Sequence, residues 1–165
     1  MMAERFRSAS IHWGTPDHIF QAMNDRFGFT LDACAENAAV AKVERFISPE
    51  QDTLKTAWSG KVWMNPPYGR VIGKFLQRAS EQLDNGNAEL CVALLPNSTG
   101  TVWFHDHVVP HIQELILLRK RVEFIDIDNS SKGGSAANFD SIIVVMKPRD
   151  RVKHPIVSYL SSRQG

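Results

Sequence analysis

Four consecutive residues form a group that could carry out chemistry. Asn65, Pro66, Pro67 and Tyr68 directly follow an apolar stretch at residues 61–64. Each proline fixes its own φ and lacks a backbone N–H, so Pro66 would present a carbonyl oxygen rigidly. The Asn65 side chain offers a second acceptor, and Tyr68 offers an aromatic face. Two acceptors beside a flat ring suit an amino group on a planar base.

Such an arrangement could transfer a methyl group to that amine. The two acceptors would bind the N–H groups and direct the lone pair of the nitrogen toward an electrophile. If the electrophile is a sulfonium methyl, no strong base is needed and catalysis is mostly in-line positioning. A base inside a duplex would have to be flipped out. The competing interpretation is a proline-stiffened surface turn, but the preceding apolar stretch and Gly69 favour amine methyl transfer.

The elements that position this group are predicted from the pattern of apolar residues. Helical spacing predicts two long helices at residues 16–27 and 72–83, the first with Thr15 as its N-cap. Shorter helices are expected within residues 35–45 and 101–107.

Short apolar runs predict strands, at residues 29–33, 61–64, 90–95, 114–118, 121–125 and 141–146. Strands that alternate with helices predict a three-layer αβα fold around a mostly parallel sheet. The closing strands lack a helix between them, so that end of the sheet is expected to be antiparallel. Because ligands bind at the carboxyl ends of strands in such sheets, Asn65 would lie at the binding crevice.

Length and composition indicate an ordinary globular protein. The chain has 165 residues, 43% hydrophobic and 22% charged, which fits one domain with its own core. We expect an N-terminal arm at residues 1–11, the domain at residues 12–148 and a polar tail at residues 149–165. The absence of a long apolar run predicts no membrane span, and without a signal peptide the expected location is the cytoplasm.

The formal net charge of +1 excludes a strongly basic architectural protein, so any contact with nucleic acid needs a local patch. Six basic residues could line a groove for the DNA backbone, namely Arg70, Lys74, Arg119, Lys120, Arg121 and Lys132. A charged turn facing solvent is the alternative for residues 119–121. Residues 128–138 are the candidate segment for base recognition.

Other reactive residue types give no comparable signal. Cys34 and Cys91 lie in apolar runs outside any CxxC pair, so free thiols are expected. His105, His107 and His111 lack the glutamate of a HExxH motif, so no metal site is predicted. Neither a GxSxG elbow nor a P-loop occurs, which argues against hydrolase and kinase chemistry.

The wider motif pattern resembles the phage-type DNA N6-adenine methyltransferases, the Dam-like family, over residues 12–148. The matching stretches are Trp13-Gly14-Thr15-Pro16, Phe27-Gly28-Phe29-Thr30-Leu31-Asp32-Ala33-Cys34-Ala35, Asn37-Ala38, Asp52-Thr53-Leu54, Trp58, Val62-Trp63-Met64-Asn65-Pro66-Pro67-Tyr68-Gly69, Leu94-Leu95-Pro96 and Trp103-Phe104. The resemblance implies a Rossmann-like class I fold and methyl transfer from S-adenosylmethionine to adenine N6 in DNA, in a restriction-modification setting.

The resemblance also implies roles for individual residues. Asn65, Pro66 and Tyr68 would hold the target adenine, with Pro67 completing the catalytic loop. The expected cofactor-binding residues are Thr15, Pro16, Asp32, Ala33, Cys34, Asp52 and Asn65. Among these, Asp32 would meet the methionine part of the cofactor and Asp52 its adenosine end, while Thr15 and Pro16 match a segment that closes over the same region.

Other functions remain open at this point. The Asn-Pro-Pro-Tyr motif also occurs in enzymes that methylate a glutamine amide, cytosine N4 or RNA adenine. The strand at residues 29–35 lacks the Gly-rich turn of the wider methyltransferase class. A non-catalytic DNA-binding module of the same fold is therefore a further alternative.

Overall fold

The computed structural model describes residues 13–127 and 135–163. The arm expected at residues 1–11, Lys132 and the first part of the candidate base-recognition segment lie outside the described residues. The described strands, in chain order, are β1 (Trp13–Gly14), β2 (Leu31–Asp32), β3 (Gly60–Met64), β4 (Ala88–Pro96), β5 (Ile112–Arg119), β6 (Glu123–Asp126), β7 (Ser135–Ala136), β8 (Ser141–Met146) and β9 (Ile156–Ser161).

Six of these strands form the main sheet, in the spatial order β2-β3-β4-β8-β5-β9. β2, β3 and β4 are parallel neighbours, and β5 and β9 form another parallel pair. Among the described strands of this sheet, β8 alone runs in the opposite direction, antiparallel to both β4 and β5. The predicted mostly parallel sheet with an antiparallel part is confirmed.

Two long helices cover opposite faces of the main sheet. These are α1 (Asp17–Phe27) and α2 (Ile72–Asp84). The buried side of α1 packs in a cluster with Trp63 of β3, whereas α2 packs in a second cluster with the neighbouring Val62. Because successive side chains of a strand point to opposite faces, the two clusters form two cores on either side of the sheet.

Shorter helical turns complete the connections. A π-helical turn spans Phe104–Val108, and 3-10 turns span Val109–His111 and Arg149–Arg151. The helix expected within residues 101–107 is therefore replaced, over most of its length, by a wider turn. No helix among the described residues is long and apolar enough to cross a membrane.

The prediction that Thr15 is the N-cap of the first helix is wrong. Pro16, not Thr15, occupies the N-cap position, and no side chain caps the helix there. The Thr15 hydroxyl instead accepts a hydrogen bond from the Asn65 side chain. At the other end, Gly28 adopts the left-handed conformation expected of a helix terminator.

The helix expected within residues 35–45 is also wrong, because this segment forms turns and bends. The Asp32 carboxylate accepts hydrogen bonds from the backbone N–H groups of Cys34 and Lys42, and the Asn37 side chain accepts one from Ala39. Side-chain acceptors that bind nearby backbone donors compete with a helical ladder. The segment is thus wrapped around Asp32.

Two strands have partners that the sequence pattern did not indicate. β6 leaves the main sheet and forms a small sheet in the order β1-β6-β7. The segment expected as a polar tail at residues 149–165 contains β9, which pairs with β5 as an edge strand of the main sheet. The Ser158 hydroxyl of β9 donates to the Glu114 carboxylate of β5, which also accepts two hydrogen bonds from Arg26 of α1.

Candidate active site

The candidate site lies where the parallel strands of the main sheet end. β2, β3, β4 and β5 all finish at the same edge, because they run in the same direction. A cavity of about 270 Å³ opens beside this edge. Its lining includes Asp32 at the end of β2 and Asn65 directly after β3. Asn65 was predicted to lie at a binding crevice, and in the structure it lines this cavity.

The Asn65 side chain is fixed by a contact distant in sequence. Its amide nitrogen Nδ2 donates a hydrogen bond of 3.1 Å to Thr15 Oγ1. Thr15 follows β1 and is only 2% exposed. Thr15 and Asn65 both line the cavity, so the contact forms part of its wall.

The remaining residues of the predicted catalytic loop have different surroundings. Pro67 lines the cavity and Pro66 is buried beside it. Tyr68 is not among the lining residues: its hydroxyl donates to the Leu94 carbonyl at 2.9 Å, and burial raises the pKa of that hydroxyl above its ordinary range.

The Tyr68 ring belongs to an aromatic cluster. It meets the rings of Phe124 and Phe139 edge to face, with centroids 6.1 and 5.6 Å apart. Phe124 lies on β6, so the loop at residues 65–68 packs against the small sheet as well as the main one. This contact holds the aromatic face of the loop in one orientation.

Asp32 carries a carboxylate into the wall of the cavity. It is 3% exposed, and its Oδ1 and Oδ2 accept backbone hydrogen bonds from Cys34 at 3.1 Å and from Lys42 at 2.9 Å. Burial raises the pKa of the Asp32 carboxyl, against the opposing effect of these N–H donors and of the Lys42 charge. The site therefore contains a partly compensated anion that a cationic ligand would stabilise.

Cys34 and Asp52 lie at the same cavity. Burial and the nearby Asp32 charge raise the pKa of the Cys34 thiol well above its ordinary value, which disfavours the thiolate form. Asp52 adopts a positive φ of 60°, and its Oδ1 accepts a hydrogen bond from Leu54 N–H at 3.0 Å. The two free cysteines expected from the sequence are confirmed.

Sequence reasoning missed several lining residues, including Glu36 and Lys42. Lys42 has a side chain that is 16% exposed, and its ammonium group lies 2.5 Å from Asp17 Oδ1. The described lining thus carries the carboxylates of Asp32, Glu36 and Asp52 together with one lysine. The sequence offered no signal for Lys42, because it lies in the segment that was expected to be a helix.

Pro16 and Ala33 are buried next to the cavity but are not among its lining residues. Of the expected DNA-binding residues, Arg70, Lys74, Arg119, Lys120 and Arg121 are all exposed. Residues 119–121 begin at the end of β5, at the same edge of the sheet as Asn65. The buried Ser162 hydroxyl contacts the carbonyls of Arg119 and Lys120, each at 2.8 Å, so the turn is held from the C-terminal segment.

The histidines have hydrogen-bond partners of their own. His105 contacts the Thr99 carbonyl, and the buried His111 contacts the Ser80 hydroxyl and the Lys147 carbonyl. Within the ranges 13–127 and 135–163, no cluster of three or more His, Cys, Asp or Glu is placed to hold a metal ion.

Comparison with known proteins adds an independent finding. The family described as DNA N-6-adenine-methyltransferase (Dam) matches residues 6–164. A curated relative, the DNA N-6-adenine-methyltransferase of Haemophilus phage HP1 (strain HP1c1), is 30% identical over 141 residues. That alignment covers 83% of this chain and 79% of the phage protein.

Proposed function

The chain belongs to the Dam family of DNA N-6-adenine-methyltransferases, and from this premise we propose that it transfers a methyl group from S-adenosylmethionine to an adenine flipped out of duplex DNA. Membership in the family makes the chain a DNA adenine-N6 methyltransferase. The methyl donor, the flipped base and the residue roles are the proposal. One observation carries them: Asn65 follows β3 at a cavity that the buried Asp32 also lines.

The charges of the cavity support the choice of methyl donor. S-adenosylmethionine carries a sulfonium, an ammonium and a carboxylate, so it is a net cation with one anionic group. The wall carries the carboxylates of Asp32, Glu36 and Asp52 and the lysine Lys42. In this proposal Asp32 faces the ammonium group, Lys42 faces the carboxylate and Asp52 lies at the adenosine end. When bound, the cofactor supplies a methyl group on an electrophilic sulfur.

The catalytic loop would act by orientation and by electrostatic stabilisation. The Asn65 side-chain oxygen and the Pro66 carbonyl accept hydrogen bonds from the two N–H groups of adenine N6. These contacts direct the nitrogen lone pair into the cavity. They also stabilise the positive charge that develops on N6, so no strong base is required in the site.

DNA would be held around this loop. An adenine inside a duplex cannot reach Asn65, so the base must leave the stack. Tyr68 would supply the aromatic surface beside the flipped base, with its ring fixed by the hydrogen bond to the Leu94 carbonyl. The exposed Arg70 and Lys74 and the turn at residues 119–121 would contact phosphates. A cytoplasmic location, that of the host if the chain is phage-encoded, completes the proposal.

The proposed function is tested by replacing Asn65, the proposed hydrogen-bond acceptor for the target amino group. Asn65→Ala is expected to lower kcat for DNA methylation by at least about 10²-fold, as loss of one preorganised polar contact does in other enzymes. The affinity for S-adenosylmethionine, measured by calorimetry, should stay close to the parent value. The activity is measured as N6-methyladenine in DNA by mass spectrometry, which also separates this product from N4-methylcytosine.

Asn85→Ala is the matched control. Asn85 follows α2, and its side-chain Oδ1 accepts a hydrogen bond from the nearby Asn87 N–H. This variant should methylate DNA at the parent rate. A parent rate for Asn65→Ala would refute the role of the loop, whereas wild-type protein without affinity for S-adenosylmethionine would refute the cofactor.

A further inference from the structure

We propose that the chain forms a two-fold symmetric dimer, in which β9 pairs antiparallel with β9 of a second copy. The contact surface, called the β9 edge below, consists of residues 156–161 and the neighbouring Leu117 of β5. This surface lies outside the candidate active site, so the inference does not depend on the proposed function.

The two ends of the main sheet differ in how they are covered. At the β2 end, the Asp32 N–H donates to the Arg45 carbonyl at 3.0 Å, and the Ile47 N–H donates to the Asp32 carbonyl at 2.9 Å. At the other end, β9 pairs with β5 on one side and with no described strand on its outer side. An open strand edge is a template for pairing with another strand. A main sheet with one such edge gives a closed pair rather than a fibre.

β9 lacks the features by which edge strands usually avoid such pairing. These features are charged side chains, proline and bulges. Residues 156–161 contain no charged residue and no proline, and their register with β5 runs without a bulge. The charged neighbours, Lys153 and Arg163, lie outside the strand, and Arg163 is already paired with Glu123 at 3.3 Å. The strand itself is therefore open to a partner of the same kind.

One face of the β9 edge also exposes apolar side chains. Val157 and Tyr159 point to the same face as Leu115 and Leu117, which are their register partners on β5. The core under α2 reaches Leu115 but includes no described residue of β9. Tyr159 is 87% exposed, Val157 67% and Leu117 45%. Single exposed apolar residues are ordinary, but adjacent ones on an open strand indicate a contact surface.

The sequence of β9 is complementary to itself when it is reversed. A two-fold axis perpendicular to the sheet keeps each side chain on its own face, so residues opposite one another share a face. With Ser158 on the axis, Val157 of each copy lies opposite Tyr159 of the other. Ile156 likewise lies opposite Leu160. Pairs of an aromatic and a β-branched residue stabilise antiparallel strands, so this register is the one that we propose.

The size of the β9 edge predicts a weak dimer. Specific interfaces begin at about 600 Å² per copy, and a buried tyrosine contributes about 150–250 Å² of this. A six-residue strand with three exposed apolar side chains is therefore at the lower end of the range. We expect a dissociation constant on the order of 1–100 μM.

Sedimentation of the full chain from about 1 to 300 μM measures this constant. The average mass should rise with concentration from that of one copy toward that of two. Tyr159→Lys and Val157→Lys each place a charge in the apolar contact, and each should raise the dissociation constant at least about tenfold. Val102→Lys is the matched control, because Val102 is 76% exposed but lies outside the β9 edge. This variant should dimerise as the parent protein does.

Cross-linking tests the register. Residues directly opposite in an antiparallel pair have Cα atoms about 4.5–5.5 Å apart, which is within the range of a disulfide. Ser158→Cys should therefore give a disulfide-linked dimer under mild oxidation. Ser161→Cys should not, because position 161 lies opposite position 155. The wild-type chain, with Cys34 and Cys91, controls for the native thiols.

Four results would overturn the inference. Wild-type protein that stays monomeric up to about 300 μM would exclude the dimer at the expected strength. An unchanged dissociation constant in both lysine variants would place the contact elsewhere, and cross-linking of Ser161→Cys but not Ser158→Cys would refute the register. A monomer that dimerises only after removal of residues 1–11 would assign the β9 edge to that segment of the same chain. Failure of the proposed function leaves all these readouts unchanged, because none of them requires DNA or S-adenosylmethionine.

Discussion

Asp32 shows how a single residue prepares this site for a charged ligand. Its carboxylate is 3% exposed, and burial of an ion is costly unless hydrogen bonds or an opposite charge compensate it. Two backbone N–H groups provide part of this compensation, but burial still raises the pKa of Asp32. A bound ammonium group would supply the rest, so affinity for a cation and ionisation of Asp32 are linked.

This linkage predicts a pH-dependent affinity for S-adenosylmethionine. As the pH falls through the raised pKa of Asp32, the carboxyl becomes protonated and can no longer attract the ammonium group. The dissociation constant should therefore rise on acidification, by up to about tenfold per pH unit below that pKa. It should begin to rise at a higher pH than for an ordinary aspartate. Calorimetric titrations from about pH 8 down to about pH 3.5 measure the effect, because this range extends below the ordinary pKa of an aspartate.

Asp32→Asn should bind the cofactor more weakly and lose most of the pH dependence. Asp25→Asn is the control, because Asp25 is an exposed residue of α1 outside the cavity. A constant affinity in the parent protein across this pH range, or an unchanged pH profile in Asp32→Asn, would contradict the assignment of Asp32.

At the residue scale, the sequence predicted the motif residues but not the contacts that hold them in place. Asn65 was predicted because it follows an apolar run that ends at a crevice, and Asp32 was predicted from the resemblance to known methyltransferases. The contact between Thr15 and Asn65 spans 50 positions, so no local pattern could indicate it. Lys42 reaches the cavity because the Asp32 carboxylate binds its backbone N–H, a tertiary contact that overrides the local tendency toward a helix.

Among the elements, the start of β3 depends on a glycine. Gly60 has a φ of +70°, and a Cβ at this position would lie 2.3 Å from Thr30 Oγ1. That hydroxyl accepts a hydrogen bond of 3.0 Å from the Lys61 N–H. The close approach ties β3 to the residue just before β2, and the proposed catalytic loop is the direct continuation of β3.

Gly60→Ala is therefore expected to destabilise the protein more than the same change at Gly86. Gly86 also has a positive φ, of +85°, but a Cβ there would meet nothing within 4 Å. Gly86→Ala should lower the free energy of unfolding only by the conformational penalty, about 1–2 kcal/mol. Gly60→Ala should lower it by about 1–3 kcal/mol more, because the Thr30 contact must break. Urea unfolding of both variants measures the difference, and equal losses would show that Thr30 simply moves aside.

The order of elements was largely predictable, and the exceptions have a common cause. Strong periodicity located α1, α2 and the buried strands β4 and β8. β6 lies in a stretch that was also predicted to be a strand, yet it pairs with β1 and β7 in the small sheet. Local patterns identify a strand but not its partner, because pairing is decided by contacts between distant segments.

At the scale of the whole molecule, the C-terminal segment completes the main sheet. β9 covers the edge of β5 along most of its length, from Glu114 with Ile156 to Arg119 with Ser161. Beyond it, the Ser162 carbonyl contacts His18 of α1 at 2.7 Å. Polar composition alone indicated a tail here, because an edge strand is exposed on one side and has little apolar signal.

A chain that ends after residue 148 should therefore be much less stable than the full chain. It loses the β5–β9 ladder and the hydrogen bond from Ser158 to Glu114. We expect a loss of at least about 3 kcal/mol in the free energy of unfolding, together with aggregation through the uncovered edge of β5. A chain that ends after residue 163 is the control. An unchanged unfolding midpoint for residues 1–148 would show that β9 contributes little.

β6 and β7 flank most of the segment that the sequence predicts to recognise bases. β6 pairs with β1 and with β7, and its Phe124 contacts Tyr68, so β6 is fixed next to the loop at residues 65–68. When the two ends of a connecting segment are fixed, the entropic cost of closing the segment grows only slowly with its length. We therefore expect that the segment between β6 and β7 can differ in length between related proteins with different target sequences, while the surroundings of the loop at residues 65–68 stay the same.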